Sequence, residues 1–102
     1  MTQTPHNIEL SADQFKTVKQ LIEQYLPNTE VWAYGSRVKN KANTYSDLDL
    51  VAFTTEQQKL ALFNLKQAFE DSSLPFRVDI FAWDELPDSF QENIKTEHIL
   101  FQ

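Results

Sequence analysis

The sequence has no cysteine, a single glycine and four prolines among its 102 residues. Without cysteine the chain can form neither a disulfide framework nor a thiolate metal site, so the reducing cytoplasm is the expected location. No stretch of it approaches the roughly 18 apolar residues of a membrane span. The first ten residues lack the basic start and apolar centre of a signal peptide. We therefore expect a cytoplasmic protein that does not interact with membranes.

Positive charge is also scarce. Nine Lys and Arg residues stand against fifteen Asp and Glu residues, which gives a formal net charge of −6. This balance argues against direct binding to the phosphate backbone of DNA or RNA, and it favours a basic partner or a metal held by carboxylates.

Apolar residues make up 41% of the chain and include eight phenylalanines and two tryptophans. That composition suffices for one packed core, whereas a chain of this length is too short to divide into two stable pieces. We expect one domain over residues 1–102, with a loose tail at residues 1–7.

The first predicted element is a helix that begins after Ser11. Ser11 is a favourable N-cap, Gln14 completes a capping box, and Pro27 with Asn28 ends the helical pattern. The apolar residues between these signals follow helical spacing. They are Phe15, Val18, Leu21, Ile22 and Tyr25.

Three strands and two more helices follow in the pattern. The strands are predicted in "EVWAY", "SDLDLVAF" and "LPFRVDIFAW". A helix is expected from residue 55 to about residue 71, and a last short helix carries Phe90 and Ile94. Leu60, Phe63 and Ala68 are the residues of the middle helix that we expect to be buried. This order predicts an α/β fold with a small sheet covered by helices.

Three aspartates lie on two of the predicted strands. Asp47 and Asp49 are two residues apart, so they lie on one face about 7 Å apart at the backbone, and their side chains can converge on one ion. Asp79 lies in an otherwise apolar strand, where an unpaired carboxylate is costly. If the two strands are neighbours, three carboxylates meet and can hold Mg²⁺ or Mn²⁺. The alternative is structural: Asp47 caps a strand end and Asp49 faces water.

Gly35 and Ser36 follow the first predicted strand. Glycine lets backbone N–H groups approach an anion closely, and the serine hydroxyl adds a donor. The cations Arg37, Lys39 and Lys41 come next. An ordinary turn followed by solvated cations is the plain alternative, but a phosphate-binding bend beside metal-binding acids predicts a nucleoside triphosphate site.

The histidines and three aromatic residues offer weaker signals. His6 and His98 have no neighbour at metal-ligand spacing, so a structural or solvent-facing role is expected for both. Trp32, Tyr34 and Trp83 could stack on a base, but aromatic residues in or beside strands more often belong to a core.

The stretch "GSRVKNKANTYSDLDL" resembles the minimal nucleotidyltransferase domains of the DNA polymerase β-like nucleotidyltransferase superfamily, whose pattern is Gly-Ser, a basic segment and Asp-x-Asp. "RVDIF" is similar to the strand that carries the family's third acid. The resemblance implies a small mixed sheet flanked by helices. It departs from the family at Lys39, where arginine is usual, and at Asn40, where glycine is frequent.

The resemblance also implies functions for individual residues. Gly35, Ser36, Arg37 and Lys39 would bind the nucleotide, and Asp47 and Asp49 would hold the metal ions. Asp79 would help to hold one ion and would activate the acceptor hydroxyl.

Such domains transfer a nucleoside monophosphate to a hydroxyl, here expected to be AMP from ATP. They are commonly antitoxins paired with HEPN ribonuclease toxins, so the expected partner is a HEPN-type protein with a basic surface. Two alternatives stay open at this point: a non-catalytic antitoxin that neutralises its partner by binding, and a nucleotidyltransferase that modifies a small molecule.

Overall fold

The computed structural model describes residues 8–39, 42–43 and 45–102. The predicted tail at residues 1–7, which includes His6, lies outside the described residues, as do Asn40 and Lys41. The described chain contains three α-helices and four strands in a mixed order along the sequence. They are α1 (Ala12–Tyr25), β1 (Val31–Tyr34), β2 (Leu48–Ala52), α2 (Lys59–Glu70), β3 (Val78–Ala82), α3 (Asp88–Thr96) and β4 (Ile99–Leu100). None of the described helices is long and apolar enough to cross a membrane.

The strands form one mixed sheet in the order β3-β2-β1-β4. β2 pairs with β3 in parallel, whereas β1 pairs antiparallel with both β2 and β4. The predicted α/β fold with a small mixed sheet is therefore confirmed. The sequence pattern did not predict β4, because two residues are too few to show an alternation of apolar and polar side chains.

The larger core lies between α1, α2 and one face of the sheet. α1 begins as predicted: the Ser11 hydroxyl accepts from the Gln14 amide at 3.1 Å, and the Gln14 side chain accepts from the Ser11 amide at 3.0 Å. Alternating strand residues face this core. The buried strand residues are Val31, Ala33, Leu48, Leu50, Ala52, Ile80 and Ala82.

The prediction for the buried face of α2 was wrong at two positions. Leu60 is 70% exposed and Phe63 is 56% exposed, whereas the buried residues are Leu62, Leu65 and Phe69. The segment has two apolar stripes at helical spacing, and the stripe at 62, 65 and 69 is the one that meets the core. Ala68 is half-buried.

A smaller cluster covers the other face of the sheet under α3. Tyr34, Val51 and Ile94 are buried there, with Trp32 and Trp83 packed against them. The three candidate aromatic residues therefore belong to a core, as the structural interpretation predicted. His98 stacks on Trp32 with ring centroids 3.8 Å apart, and its Nδ1 lies 2.9 Å from the Ile94 carbonyl oxygen, so its role is also structural.

Candidate active site

The three candidate acids lie near one another at the start of the two parallel strands. Asp49 in β2 lies opposite Asp79 in β3, and Asp47 comes directly before β2. Side chains of paired residues in neighbouring strands project from the same face. The sequence left the adjacency of the second and third strands as a condition, and the structure meets it: β2 and β3 are neighbours. Their pairing brings Asp47, Asp49 and Asp79 to one edge of the face that α3 partly covers.

Asp49 is the acid most affected by its surroundings. Its pKa is raised to about 6, chiefly by burial and then by the nearby carboxylates of Asp79 and Asp47, while Arg77 acts in the opposite direction. Desolvation and like charges both penalise the ionised form of a carboxyl group. The site therefore carries more negative charge than its own cations offset.

Arg77 is a site residue that the sequence interpretation missed. Its Nη2 atom lies 3.1 Å from Oδ2 of Asp79 and 3.5 Å from Oδ2 of Asp47. A signal for it was present in the sequence: Arg77 is two residues before Asp79 at the start of a strand, so alternation places both side chains on one face.

The donor set of the site fits a hard divalent cation. Asp47, Asp49 and Asp79 offer carboxylate oxygens, the ligands that Mg²⁺ and Mn²⁺ prefer, and a guanidinium already lies against two of them. Among the described residues no three His, Cys, Asp or Glu side chains are arranged closely enough to form a metal site. The acids are thus brought near each other, but they do not converge on a single point in this conformation.

Gly35 packs directly against Asp49. Its φ of 84° and ψ of −158° fall in a region that is essentially restricted to glycine. A Cβ atom at this position would overlap Oδ2 of Asp49 and would lie 3.2 Å from its Cγ. Ser36 then begins a single turn of 3₁₀ helix over Ser36–Val38. The bend predicted to bind phosphate is therefore in contact with Asp49, one of the acids predicted to bind metal.

Arg37 points away from this bend into the protein. It is 4% exposed, its Nε donates to the Ser46 carbonyl at 2.9 Å, and its Nη1 donates to the Glu9 carbonyl. Its guanidinium also lies 4.1 Å from the centre of the Phe76 ring. These contacts hold the loop before β2 against the segment before α1. The geometry gives Arg37 a structural task, and its contact with the nucleotide stays a prediction.

Lys39 lies at the surface on the side of Gly35 that faces α3. Its Nζ is 3.7 Å from Oε1 of Glu97, and it helps to line a cleft of about 240 Å³ together with Gly35, Tyr34 and Phe90. A second cavity of about 370 Å³ runs beside β3 and includes Asp79 and Arg77 in its lining. Gly35 therefore borders one cleft, and Asp79 borders the other.

Comparison with known proteins decides the family. A family model described as "Polymerase beta, Nucleotidyltransferase" matches residues 16–102, which include the bend and all three acids. The chain belongs to the polymerase β nucleotidyltransferase family. It is also 40% identical over 96 residues to a probable protein adenylyltransferase MntA from Haemophilus influenzae, a match that covers 93% of this chain and 84% of that protein. The chain is therefore a nucleotidyltransferase.

Two solved structures share the nucleotidyltransferase fold. One is described as a crystal structure of a toxin-antitoxin with AMP-PNP, with a TM-score of 0.70 and 16% identity over 86% of this chain and 72% of that chain. The other is a putative nucleotidyltransferase, with a TM-score of 0.52 and 22% identity over 87% of this chain and 98% of that chain. At such identities the likeness concerns the fold alone.

Tyr34 borders the candidate site. It lies opposite Asp49 in the β1–β2 pair. Burial raises the pKa of its hydroxyl well above the usual range, and the charges of Asp49 and Asp79 add to that effect. The Tyr34 hydroxyl is therefore neutral at physiological pH.

Proposed function

We propose that the protein transfers AMP from ATP to a hydroxyl group of a partner protein, in a reaction that depends on Mg²⁺ or Mn²⁺. The observation that carries the proposal is the contact between the Gly35 bend and Asp49, which itself lies opposite Asp79. The choice of AMP and of a protein acceptor is supported by the similarity to the probable protein adenylyltransferase of Haemophilus influenzae.

In this proposal the nucleotide is held from the Gly35 side of the site. The Gly35–Ser36 bend and the Lys39 ammonium group would contact the phosphates, since backbone N–H groups and a cation are the usual partners of such anions. Arg37 would act indirectly by holding the loop that leads to Asp47. Asp47, Asp49 and Asp79 would hold the divalent cations, which when bound offset the charge on the attacking and leaving oxygens.

Asp79 is the residue that we propose to accept the proton. The acceptor oxygen forms a bond to the α-phosphorus of ATP, the bond from that phosphorus to the bridging oxygen of the β-phosphate breaks, and pyrophosphate leaves. The acceptor proton goes to the Asp79 carboxylate. Asp79 is supported in this role by its position in β3, the strand at one edge of the described sheet, beside the cavity of about 370 Å³.

The partner that we propose is a HEPN-type toxin with a basic surface, to which this chain is the antitoxin. The net charge of −6 favours association with a basic protein, because long-range attraction accelerates the encounter. The resemblance of the Gly35–Leu50 segment to minimal nucleotidyltransferases supports the same pairing.

Co-expression with the protein encoded by the neighbouring reading frame tests the proposal. Intact-mass spectrometry of that partner should show the addition of one AMP with the native enzyme and none with Asp47→Ala or Asp49→Ala. Both variants should remain folded, because each relieves repulsion within the acidic site. A partner that is bound and neutralised but unmodified would instead establish a non-catalytic antitoxin.

A further inference from the structure

The Arg77 side chain reaches across the acidic site from the residue before β3. Its Nη2 atom contacts Asp79 at 3.1 Å and Asp47 at 3.5 Å, while the side chain as a whole is 70% exposed. Ion pairs that are open to water are weak and exchange readily. One guanidinium nitrogen therefore lies against two of the three proposed metal ligands, in contacts that can be broken at small cost.

The need for a cation at this place follows from the acids themselves. Asp47, Asp49 and Asp79 crowd like charges at the start of two neighbouring strands, and such crowding is unfavourable unless a cation offsets it. In the described part of the chain, Arg77 forms ion pairs with Asp79 and Asp47, and the buried Arg37 guanidinium also interacts electrostatically with Asp47. Arg77 supplies one positive charge where a divalent cation would supply two.

The guanidinium and a metal ion would use the same oxygen atoms. Arg77 contacts the Oδ2 atoms of both Asp47 and Asp79, and a divalent cation bound to the same carboxylates would lie close to the guanidinium and repel it, because like charges at short distance destabilise each other. Occupation of the site by Arg77 and occupation by metal therefore oppose each other.

We propose that Arg77 is an internal counter-ion, which pairs with Asp47 and Asp79 in the metal-free protein and is displaced when a divalent cation binds. This inference rests on the proposed function, in which these acids hold the cation. Arg77 is a positioning residue in this scheme: it holds the two carboxylates at the site before metal arrives, and it raises the metal concentration that the site requires.

Direct binding of Mn²⁺, followed by the electron paramagnetic resonance signal of the free ion, tests the proposal without any reaction. The variants are Arg77→Gln, which removes the charge, and Arg77→Lys, which keeps it. Lys59→Gln is a matched control, because Lys59 is also a surface cation between two acids, at 2.9 Å from Asp84 and 4.0 Å from Glu85.

Arg77→Gln should bind Mn²⁺ with a Kd roughly two- to tenfold lower than the native protein, the size expected from losing one or two exposed ion pairs. Arg77→Lys should lie between the two, and Lys59→Gln should match the native protein. Unchanged or weaker binding by Arg77→Gln would overturn the inference, since weaker binding would mean that Arg77 supports the metal ligands. Failure of every variant and of the native protein to bind Mn²⁺ would contradict the proposed metal dependence as well.

Two further measurements test the inference without counting free Mn²⁺. In EDTA the Tm of Arg77→Gln should fall below that of the native protein. Addition of Mn²⁺ should raise the Tm of Arg77→Gln by more than it raises the Tm of the native protein, because the ion then offsets carboxylate repulsion that no guanidinium has reduced. In the native protein, titration with Mg²⁺ should shift the Nε–Hε resonance of Arg77 in a ¹H–¹⁵N spectrum. An Arg77 resonance that stays fixed while resonances of the acids shift would overturn the inference by itself.

Discussion

Gly35 lies in van der Waals contact with the carboxyl group of Asp49, in a backbone conformation that other residues avoid. The space that a Cβ atom would occupy is taken by Oδ2 of Asp49. The single glycine of the chain is thus required twice, once for its φ of 84° and once for the closeness of the carboxylate. The geometry couples the bend proposed for the phosphates to the acid proposed for the metal.

Gly35→Ala should therefore lower stability and abolish transfer. The strained backbone costs about 1 to 3 kcal/mol, and the displaced carboxylate adds to that loss. Urea unfolding monitored by tryptophan fluorescence gives the change in the free energy of unfolding. In an Asp49→Ala background the same substitution should cost less, because the overlap is removed and the backbone strain alone remains. Equal costs in both backgrounds would contradict the proposed contact.

The raised pKa of Asp49, about 6, predicts how stability depends on pH. The folded protein holds the proton of the Asp49 carboxyl group more tightly than the unfolded chain does, since the pKa of Asp in the unfolded chain is about 4. The contribution of protonated Asp49 to the free energy of unfolding is therefore complete below about pH 4. It is lost as the pH rises to and through 6.

Asp49→Asn removes this dependence. In EDTA it should be more stable than the native protein at pH 8 by about 1 kcal/mol, allowing for screening of a half-buried group, and the difference should vanish near pH 4. Urea unfolding of both proteins across that range is the measurement. A difference that is independent of pH would show that Asp49 has an ordinary pKa.

Asp79→Asn should separate binding from turnover. The amide keeps the size of the side chain but can no longer accept the proton from the acceptor, so transfer should fall by about 10² to 10⁴-fold, with a smaller loss of ATP affinity by calorimetry. Asp84→Asn is the matched control, an acid paired with Lys59 at 2.9 Å outside the site. Equal losses of ATP affinity and of transfer would make Asp79 chiefly a ligand.

The two loop cations should behave differently when substituted. Arg37→Lys should lower the free energy of unfolding by roughly 2 to 4 kcal/mol, because an ammonium group cannot satisfy the carbonyls of Ser46 and Glu9 together. Lys39→Gln should change stability by about 0.5 kcal/mol or less but should weaken ATP binding. Chemical denaturation measures the stability of both variants, and calorimetry measures their ATP binding. If Arg37→Lys weakened ATP binding without lowering stability, the predicted contact between Arg37 and the nucleotide would be supported instead.

The order of elements was legible in the sequence because its signals are local. The capping box at Ser11 and Gln14 formed as predicted, and the alternation in β2 correctly placed Asp49 and Val51 on one face. The position of Asp79 required more: its adjacency to Asp49 depends on β2 and β3 pairing in parallel, which the sequence left conditional.

The buried face of α2 and the positions of the two arginines could not be predicted, because they depend on tertiary contacts that leave no local signal in the sequence. α2 has two apolar stripes, and packing against the core selected Leu62 over Leu60 and Phe63. The sequence pattern predicts Arg37 as a surface cation, because the backbone carbonyls that accept from its buried side chain are distant in the sequence. The pairing of Arg77 with Asp47 depends on the same strand pairing that joins β2 to β3.

ATP labelled at either the α- or the γ-phosphate tests the proposed transfer most directly. With Mg²⁺ and the partner protein, label from the α-phosphate should appear on the partner, while label from the γ-phosphate should leave as pyrophosphate. Asp49→Asn should show neither. Label from the γ-phosphate on the partner would identify a phosphotransferase, and undiminished α-labelling by Asp49→Asn would contradict the assignment of this site.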